Sequence, residues 1–296
     1  MNKQSPASLS ALTQSLGEAD AARVRRVLEG GIKLPAQPRV LEALRQLMLR
    51  KEMDVRPLAQ IIAQDPALMA LLFKVVASPA YRQHHPLTTL EQILHVIGVD
   101  QTFNLVQALC LVSAATPHKD RQLLESFWAR SRMVGQLAML IADERITVCN
   151  IFPDQAYLAG IFHACGIPLL MQRFPTYCHD LRLGIPGQWP HWRDEDQKFN
   201  TDHCVVGYLV ARHWSLPGFI CDAIRFQGCV LELGDHAARS MVAILQLAID
   251  IRARDQRLPN PEWERMQGLV LAELGLDVGT LPEFVDIVLE RFQGTE

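Results

Sequence analysis

The chain has 296 residues, 49% of them hydrophobic and 21% charged, and it carries a formal net charge of −3. This composition is typical of a globular protein that is large enough to bury a sizeable core. A slightly acidic chain without a stripe of lysine and arginine lacks the electrostatic signature of nucleic-acid-binding proteins, so we expect no nucleic-acid partner.

Neither the N-terminus nor any apolar run indicates a secreted or membrane protein. Met1–Ser10 is polar and lacks the basic-then-apolar pattern of a signal peptide. The apolar run Leu68–Ala77 contains Lys74 and is shorter than the roughly 20 residues of a membrane-spanning helix. The seven cysteines form no C-x-x-C pair, which is typical of reduced thiols in a core. We therefore expect a cytoplasmic chain without membrane contact.

Helical periodicity runs along the chain, and no segment alternates like a β-strand. Two apolar patterns with helical spacing stand near the N-terminus: Leu9, Leu12 and Leu16, then Val24, Val27 and Leu28. They predict two added helices that either cap the following part of the chain or mediate self-association, which leaves a homodimer open.

Helix start signals recur at short intervals after residue 50. Asp65-Pro66 supplies an N-cap followed by a proline at the first helical position, which predicts a helix over Ala67–Ala77. Thr88-x-x-Glu91 matches a capping box and predicts another helix directly after it. Because the connections are short, these helices are expected to pack as neighbours.

The helical pattern breaks at residues 115–120, where we place the boundary between two helical lobes. Beyond it we expect helices over Gln122–Ala142, Gln155–Ala164, Asp202–Trp214, Pro217–Phe226, His236–Arg254, Glu262–Leu274 and Pro282–Phe292. Residues 184–200 are the least regular stretch. We thus divide the chain into a helical extension (1–31), an N-terminal lobe (32–116) and a C-terminal lobe (117–296).

Six segments, in the same order, resemble the HDOD family. They are Leu34–Pro38, Ile61–Leu68, Ser78–Tyr81, Leu87–Val106, Tyr157–His163 and the stretch from Asp202-His203 to Trp214–Pro217. Ile61–Leu68 reads IIAQDPAL where the family has IISRDPAL, and Tyr157–His163 reads YLAGIFH where the family has FLAGLLH. The likeness runs from about Ile32 to Ala248.

The resemblance implies an all-α fold of two helical lobes, the second of which is similar to the HD-type metal-dependent phosphohydrolases. In those enzymes a histidine, a His-Asp pair and further histidines or aspartates hold one or two metal ions. The metal polarises a phosphoryl oxygen and activates water. Many HDOD modules have degenerate metal motifs and act as bacterial signalling outputs, including response regulator outputs, so membership alone does not imply hydrolysis.

Most metal-ligand positions of that pattern are changed in this chain. Arg130 stands where the family has its first histidine, and an arginine cannot ligate a metal. The His-Asp pair is replaced by His163-Ala164, and a later pair of histidines is replaced by Gln227-Gly228. His203 keeps its family identity. We therefore expect no metal, no catalytic residue and no cofactor.

The remnant of the site consists of Arg130, His163, Asp202, His203 and Gln227. One interpretation is a set of satisfied core groups, in which Arg130 pairs with a carboxylate such as Asp202. The alternative is that Arg130 supplies the positive charge of the missing metal, so that the pocket binds a nucleotide or another small anionic ligand.

Two features of residues 184–200 also bear on function. Trp189 and Trp192 either pin this segment to the core or form a contact surface for a partner protein. Asp194-Glu195-Asp196 is interpreted as a charged, solvent-exposed face rather than as a metal-binding cluster.

The sequence thus favours a non-catalytic signal-transduction module, a regulatory output that binds a signalling protein or a small anionic ligand. The alternative is an enzyme, either a residual metal-dependent phosphohydrolase or a cyclic dinucleotide phosphodiesterase. A third interpretation is a structural adaptor that contacts its partners through residues 184–200.

Overall fold

The computed structural model describes residues 18–49, 54–81, 87–113, 121–183, 188–228 and 234–293. Within these ranges the chain forms helices, turns and connecting segments but no strand, which confirms the all-α prediction. The first predicted N-terminal helix and the predicted lobe boundary at 115–120 lie outside the described residues.

The part of the chain before that boundary contains a layer of short helices. They are α1 (Glu18–Glu29), α2 (Arg39–Met48), α3 (Val55–Ile62), α4 (Pro66–Val76), a 3-10 turn (Pro79–Tyr81), α5 (Leu90–Val96) and α6 (Val99–Ser113). The predicted cap at Asp65 forms, since its side chain accepts hydrogen bonds from the backbone N–H groups of Ala67 and Leu68. The capping box lies one residue later than predicted, because Thr89 is the N-cap and Gln92 its reciprocal partner.

The part after the boundary is a larger helical bundle. Its helices are α7 (Arg121–Glu144), α8 (Ile146–Cys149), α9 (Pro153–Phe162), α10 (Gly166–Arg173), α11 (Tyr177–Asp180), α12 (Trp192–Phe199), α13 (His203–His213), α14 (Gly218–Phe226), α15 (His236–Asp255), α16 (Pro261–Glu273) and α17 (Leu281–Gln293). α7 packs against α9, α15 and α17, and α9 also contacts α6, α14 and α15.

The helices α7 and α9 cross where each carries a glycine. A Cβ atom on Gly160 would lie 2.5 Å from the Cα atom of Gly135, which is far inside van der Waals contact. Because neither residue has a side chain, the two backbones approach closely. This crossing fixes the part of α7 that carries Arg130 relative to the end of α9 that carries His163.

Besides the packing of α9 on α6, the two parts of the chain are connected at Trp214, the fully buried residue that directly follows α13. Its indole N–H donates to the carbonyl oxygen of Pro35 at 2.9 Å. Its own carbonyl oxygen accepts hydrogen bonds from Arg45 at 2.6 Å and from Gln107 at 2.8 Å. α13 is therefore tied at its C-terminal end to residues of the N-terminal helices.

Two further expectations concern membrane-spanning helices and the state of the cysteines. No single helix within the described ranges has both the length and the apolar character of a membrane span; α3 and α4 pass only as a pair, bent by 114°. Six of the seven cysteines lie in the described ranges, and all six are free thiols.

Candidate functional site

The predicted site residues come from neighbouring helices of the bundle. Arg130 lies on α7, His163 directly after α9, His203 at the start of α13 and Gln227 directly after α14. α9 packs against α7 and α14, and α13 packs against α14. Asp202 is the N-cap of α13, and its carboxylate accepts a hydrogen bond from the backbone N–H of Val205 at 2.9 Å.

His163 is buried and neutral. Its Nδ1 atom lies 2.6 Å from the carbonyl oxygen of Gly160, and since a carbonyl can only accept, Nδ1 carries the proton. Burial lowers the pKa of His163 to about 3, and the nearby charges of Arg130 and Arg252 act in the same direction. The imidazole therefore stays uncharged at neutral pH.

His203 is held by a buried glutamate that the sequence interpretation placed on a solvent face. Glu195 is fully buried, and its carboxylate accepts hydrogen bonds from Nδ1 of His203 at 2.5 Å and from the His203 backbone N–H at 3.0 Å. The hydroxyl of Tyr177 donates to the other oxygen of Glu195. Burial alone would lower the pKa of His203, but Cys204 and Glu195 raise it well above its ordinary value. His203 and Glu195 thus form a buried ion pair.

The burial of Glu195 also corrects the interpretation of residues 184–200 as irregular. This stretch contains the helix α12, which starts at Trp192 and ends at Phe199. The inward positions of α12 are Trp192, Glu195 and Phe199, a spacing of three and four residues. Because a charged residue occupies the most buried of these positions, the apolar periodicity was too weak to predict a helix.

Gln227 uses its side chain and backbone to connect helix ends. Its side-chain amide donates to the carbonyl oxygen of His163 at 2.8 Å, and its backbone carbonyl accepts from Gln246 at 2.7 Å. At the next residue, a Cβ on Gly228 would lie 2.5 Å from Nε1 of Trp192. The indole of Trp192 therefore fills the space in which a side chain at position 228 would stand.

Arg130 makes a different contact from the one that its sequence position suggested. Its guanidinium carbon lies 4.0 Å from the centre of the Trp189 ring, and its Nε atom has no hydrogen-bond partner among the described residues. The expected ion pair between Arg130 and Asp202 is not formed between these two described side chains. The arginine whose charge lowers the pKa of Asp202 is Arg225. Burial and the positive charge of Arg252 lower the pKa of Arg130 to about 9.

Arg252, on α15, is a member of the site that the sequence reasoning missed. Its side chain is buried, and burial lowers its pKa. One terminal nitrogen donates to Gln256 at 3.2 Å, but the Nε and Nη1 atoms have no partner in the described part of the chain. An arginine near the end of an amphipathic helix usually points to solvent, so nothing in the sequence indicated that Arg252 is buried.

Trp189 and Trp192 both lie against the protein. Trp189 stacks on Phe127 with the ring centres 5.8 Å apart and the planes 7° from parallel, while its other neighbour is Arg130. Trp192 lies over Gly228, and its Nε1 atom is buried without a hydrogen-bond partner in the described ranges. These contacts support the interpretation that the tryptophans pin the segment to the core, while a partner contact at Trp189 and Trp192 stays a prediction.

The residues present do not fit the metal that the resemblance implies. Within the described ranges no three His, Cys, Asp or Glu side chains are grouped so that they could hold a metal ion. The position after His163 is a buried alanine, Ala164, and Arg130 repels a cation. The Nδ1 atoms of His163 and His203 are engaged in internal hydrogen bonds, so these two residues could offer only their Nε2 atoms, and Gln227 stands where the family pattern has a histidine.

A family model for the HDOD domain matches residues 34–229 of this chain. The chain belongs to the HDOD family. The match covers every one of the predicted site residues and confirms the resemblance that the six sequence segments indicated.

Three similar proteins place the HDOD chain among known sequences and folds. An uncharacterized protein of Treponema pallidum (strain Nichols) is 22% identical over 200 residues, which are 65% of this chain but 37% of that protein. A candidate phosphohydrolase from Shewanella amazonensis SB2B has a TM-score of 0.67 at 20% identity, with 93% of this chain and 97% of that one covered. A candidate signal transduction protein from Marinobacter aquaeolei VT8 has a TM-score of 0.67 at 19% identity, with 97% and 67% covered. At these identities the structures share the fold.

Proposed function

We propose that this HDOD chain is a regulatory module of signal transduction, which acts by binding a small anionic ligand or a signalling protein and not by catalysis. The observation that carries the proposal is that an arginine, which cannot ligate a metal, and a glutamine whose amide donates to the His163 carbonyl stand where the HD-type pattern has histidines. Hydrolysis in an HD-type site requires these positions as metal ligands.

The alternative, a residual phosphohydrolase or cyclic dinucleotide phosphodiesterase, would need a different donor set. Only the Nε2 atoms of His163 and His203 would be available to a metal, because their Nδ1 atoms bond to Gly160 and Glu195. Two imidazoles are fewer than the roughly three protein ligands that a catalytic metal usually has.

In the proposed role, helix α13 transmits the state of the site to the N-terminal helices. α13 begins at His203, in the site, and ends at His213, next to Trp214, which is bonded to Pro35, Arg45 and Gln107. A ligand that contacts the site differently in two arrangements of α13 would shift the population of those arrangements. The proposed lobes, 32–116 and 117–296, are the two units whose relative position would change.

A cytoplasmic location belongs to the same proposal. The six described cysteines are free, and burial raises the pKa of Cys110 to about 12 and that of Cys149 to about 11. Unpaired and unreactive thiols are typical of a reducing compartment.

The experiment that tests the proposed function combines metal analysis with a turnover assay. The purified chain is incubated with manganese or iron, its metal content is measured, and phosphomonoester and cyclic dinucleotide substrates are offered. We expect neither stoichiometric metal nor turnover. Metal at one equivalent together with hydrolysis that the Ala substitution of His203 abolishes would replace our proposal by the enzyme alternative.

A further inference from the structure

Two arginines near the site, on different helices, have buried N–H donors without an acceptor among the described residues. Arg130 lies on α7 and Arg252 on α15, and these two helices pack against each other. The charge of Arg252 also contributes, after burial, to the lowered pKa of Arg130. Arg252 is 9% exposed, and its Nε and Nη1 atoms find no hydrogen-bond partner among the described residues. The Nε atom of Arg130 is likewise buried without a hydrogen-bond partner among the described residues. Buried donors without acceptors are rare in folded proteins and indicate a missing partner.

We infer that Arg130 and Arg252 form a binding site for a phosphate group, and this inference rests on the proposed function as a binding module. Two guanidinium groups carry the charge that a phosphate dianion requires, and each offers N–H donors that match its oxygens. His163 adds no charge to the site, because its imidazole is neutral, and the positive charge of His203 is neutralised by Glu195. The positive charge offered to a ligand is therefore that of the two arginines.

Trp189 fixes the orientation in which Arg130 meets the ligand. The indole ring covers one face of the guanidinium at 4.0 Å and is itself stacked on Phe127. A ring on the face leaves the N–H groups in the guanidinium plane free to donate. Arg130 is only half-buried, so solvent reaches part of its side chain.

The carboxylates near these arginines have other partners. Asp250 is bonded to Arg254 at 2.5 Å and to Asn260 at 3.2 Å, and Glu195 is bonded to His203 and Tyr177. Asp255 interacts with Arg252 at long range and raises its pKa against the larger effect of burial, but no ion pair between them is formed in the described structure. The positive charge of the pair is therefore not cancelled by a bound carboxylate.

The test measures binding of three probes to the full chain by isothermal titration calorimetry at constant ionic strength. The probes are inorganic phosphate, AMP and adenosine, and the variants are Arg130→Gln and Arg252→Gln. Arg56→Gln is the matched control, because it removes the same charge from an exposed side chain that pairs only with Asp54 in the described structure. We expect the dissociation constants of phosphate and AMP to rise roughly tenfold or more in each site variant, since a charge-assisted hydrogen bond is lost.

The outcomes separate this inference from the proposed function. Binding of phosphate or AMP that both site variants weaken and Arg56→Gln preserves supports the site, and the ratio of the two affinities tells whether the source is free phosphate or a nucleotide. If neither phosphate nor AMP binds, or if their binding survives in both site variants, the inference is overturned even when no metal and no turnover are found. Metal-dependent turnover would instead overturn the proposed function.

Thermal unfolding supplies a second readout in case a variant is poorly folded. Ligand that binds only the folded state raises Tm, so saturating phosphate should raise Tm of the wild-type chain by a few degrees. Arg130→Lys and Arg252→Lys keep the charge but lose the planar pair of donors, and a reduced rise of Tm is expected for both. An equal rise in wild type and the lysine variants would contradict recognition by the guanidinium groups.

Discussion

Two sides of the candidate site differ in how far the hydrogen-bonding groups of their side chains are satisfied. On the saturated side, Tyr177, Glu195, His203 and Gln227 bond to one another or to backbone groups. On the open side, Arg130 and Arg252 keep N–H groups that have no acceptor in the described part of the chain. Both sides are built from helices of the same bundle, so burial alone does not explain the difference.

The contrast predicts different responses to substitution on the two sides. On the saturated side, the side chains are part of the packing between helices, and their loss should destabilise the fold. On the open side, the charge has no partner inside the described structure, and its loss should leave the fold intact or stabilise it. Stability and binding measurements can therefore separate the two sides.

The largest effect is expected for Glu195→Ala, on the saturated side. The substitution leaves the hydroxyl of Tyr177 and the charged ring of His203 buried without their acceptor. Removing one partner of a buried ion pair typically costs about 3–5 kcal/mol, and we expect that loss in the free energy of unfolding measured with urea. Asp194→Ala, at the exposed neighbouring position, should change it by less than about 0.5 kcal/mol. Equal effects of the two substitutions would show that Glu195 does not hold the saturated side together.

The next effect concerns the crossing that fixes the two sides relative to each other. In Gly160→Ala the new Cβ would meet Cα of Gly135 at 2.5 Å, so α7 and α9 must separate. Overpacking of this kind typically costs about 1–3 kcal/mol, which chemical unfolding would detect. The control is Gly268→Ala on the exposed face of α16, where a Cβ meets nothing within 4 Å and a gain of about 0.5–1 kcal/mol is expected. A Gly160→Ala protein as stable as wild type would exclude a tight crossing.

The sequence predicted the fold better than the details of the site. Helix starts such as Asp65-Pro66 were predictable because a capping side chain and a proline act locally. α12 and the burial of Glu195 were not, because the partner of Glu195 is His203 and the tertiary packing, not local periodicity, buries a charged residue. Arg252 was missed for the same reason, since a basic residue near a helix end is normally solvated. The expected pairing of Arg130 with Asp202 depended on geometry that spacing along the chain does not determine.

The pH dependence of stability tests the neutral state of His163, which lies between the two sides. Its pKa is about 3 in the folded chain and near 6.5 in a model peptide, so the unfolded chain takes up the proton first on acidification. The contribution is complete above about pH 6.5 and is lost as pH falls, with a slope approaching about 1.4 kcal/mol per pH unit.

The measurement is the free energy of unfolding at pH 7, 6 and 5 for wild type and His163→Gln. The variant should lose this slope, whereas His179→Gln, at an exposed position, should keep it. The raised pKa of His203 acts in the opposite sense, since that contribution is lost as pH rises, but it is common to both proteins and cancels in the difference. The same slope in wild type and His163→Gln would mean that His163 is charged in the folded state.

The smallest effect has the opposite sign and compares two arginines on one helix. Arg252→Met removes a buried charge that lacks an ion pair within the described structure, at the cost of one hydrogen bond to Gln256, so we expect a gain of about 1 kcal/mol in unfolding free energy. Arg254→Met, two residues later, removes the partner of the buried Asp250 and should lose about 1 kcal/mol. The substitution and the helix are the same, so the sign of each change separates a charge without a partner from a paired one. Arg254 also lies over the ring of Trp263 at 5.6 Å, which adds to its expected loss. If both variants lose stability equally, Arg252 has a partner inside the protein, and the contrast between the saturated and the open side is wrong.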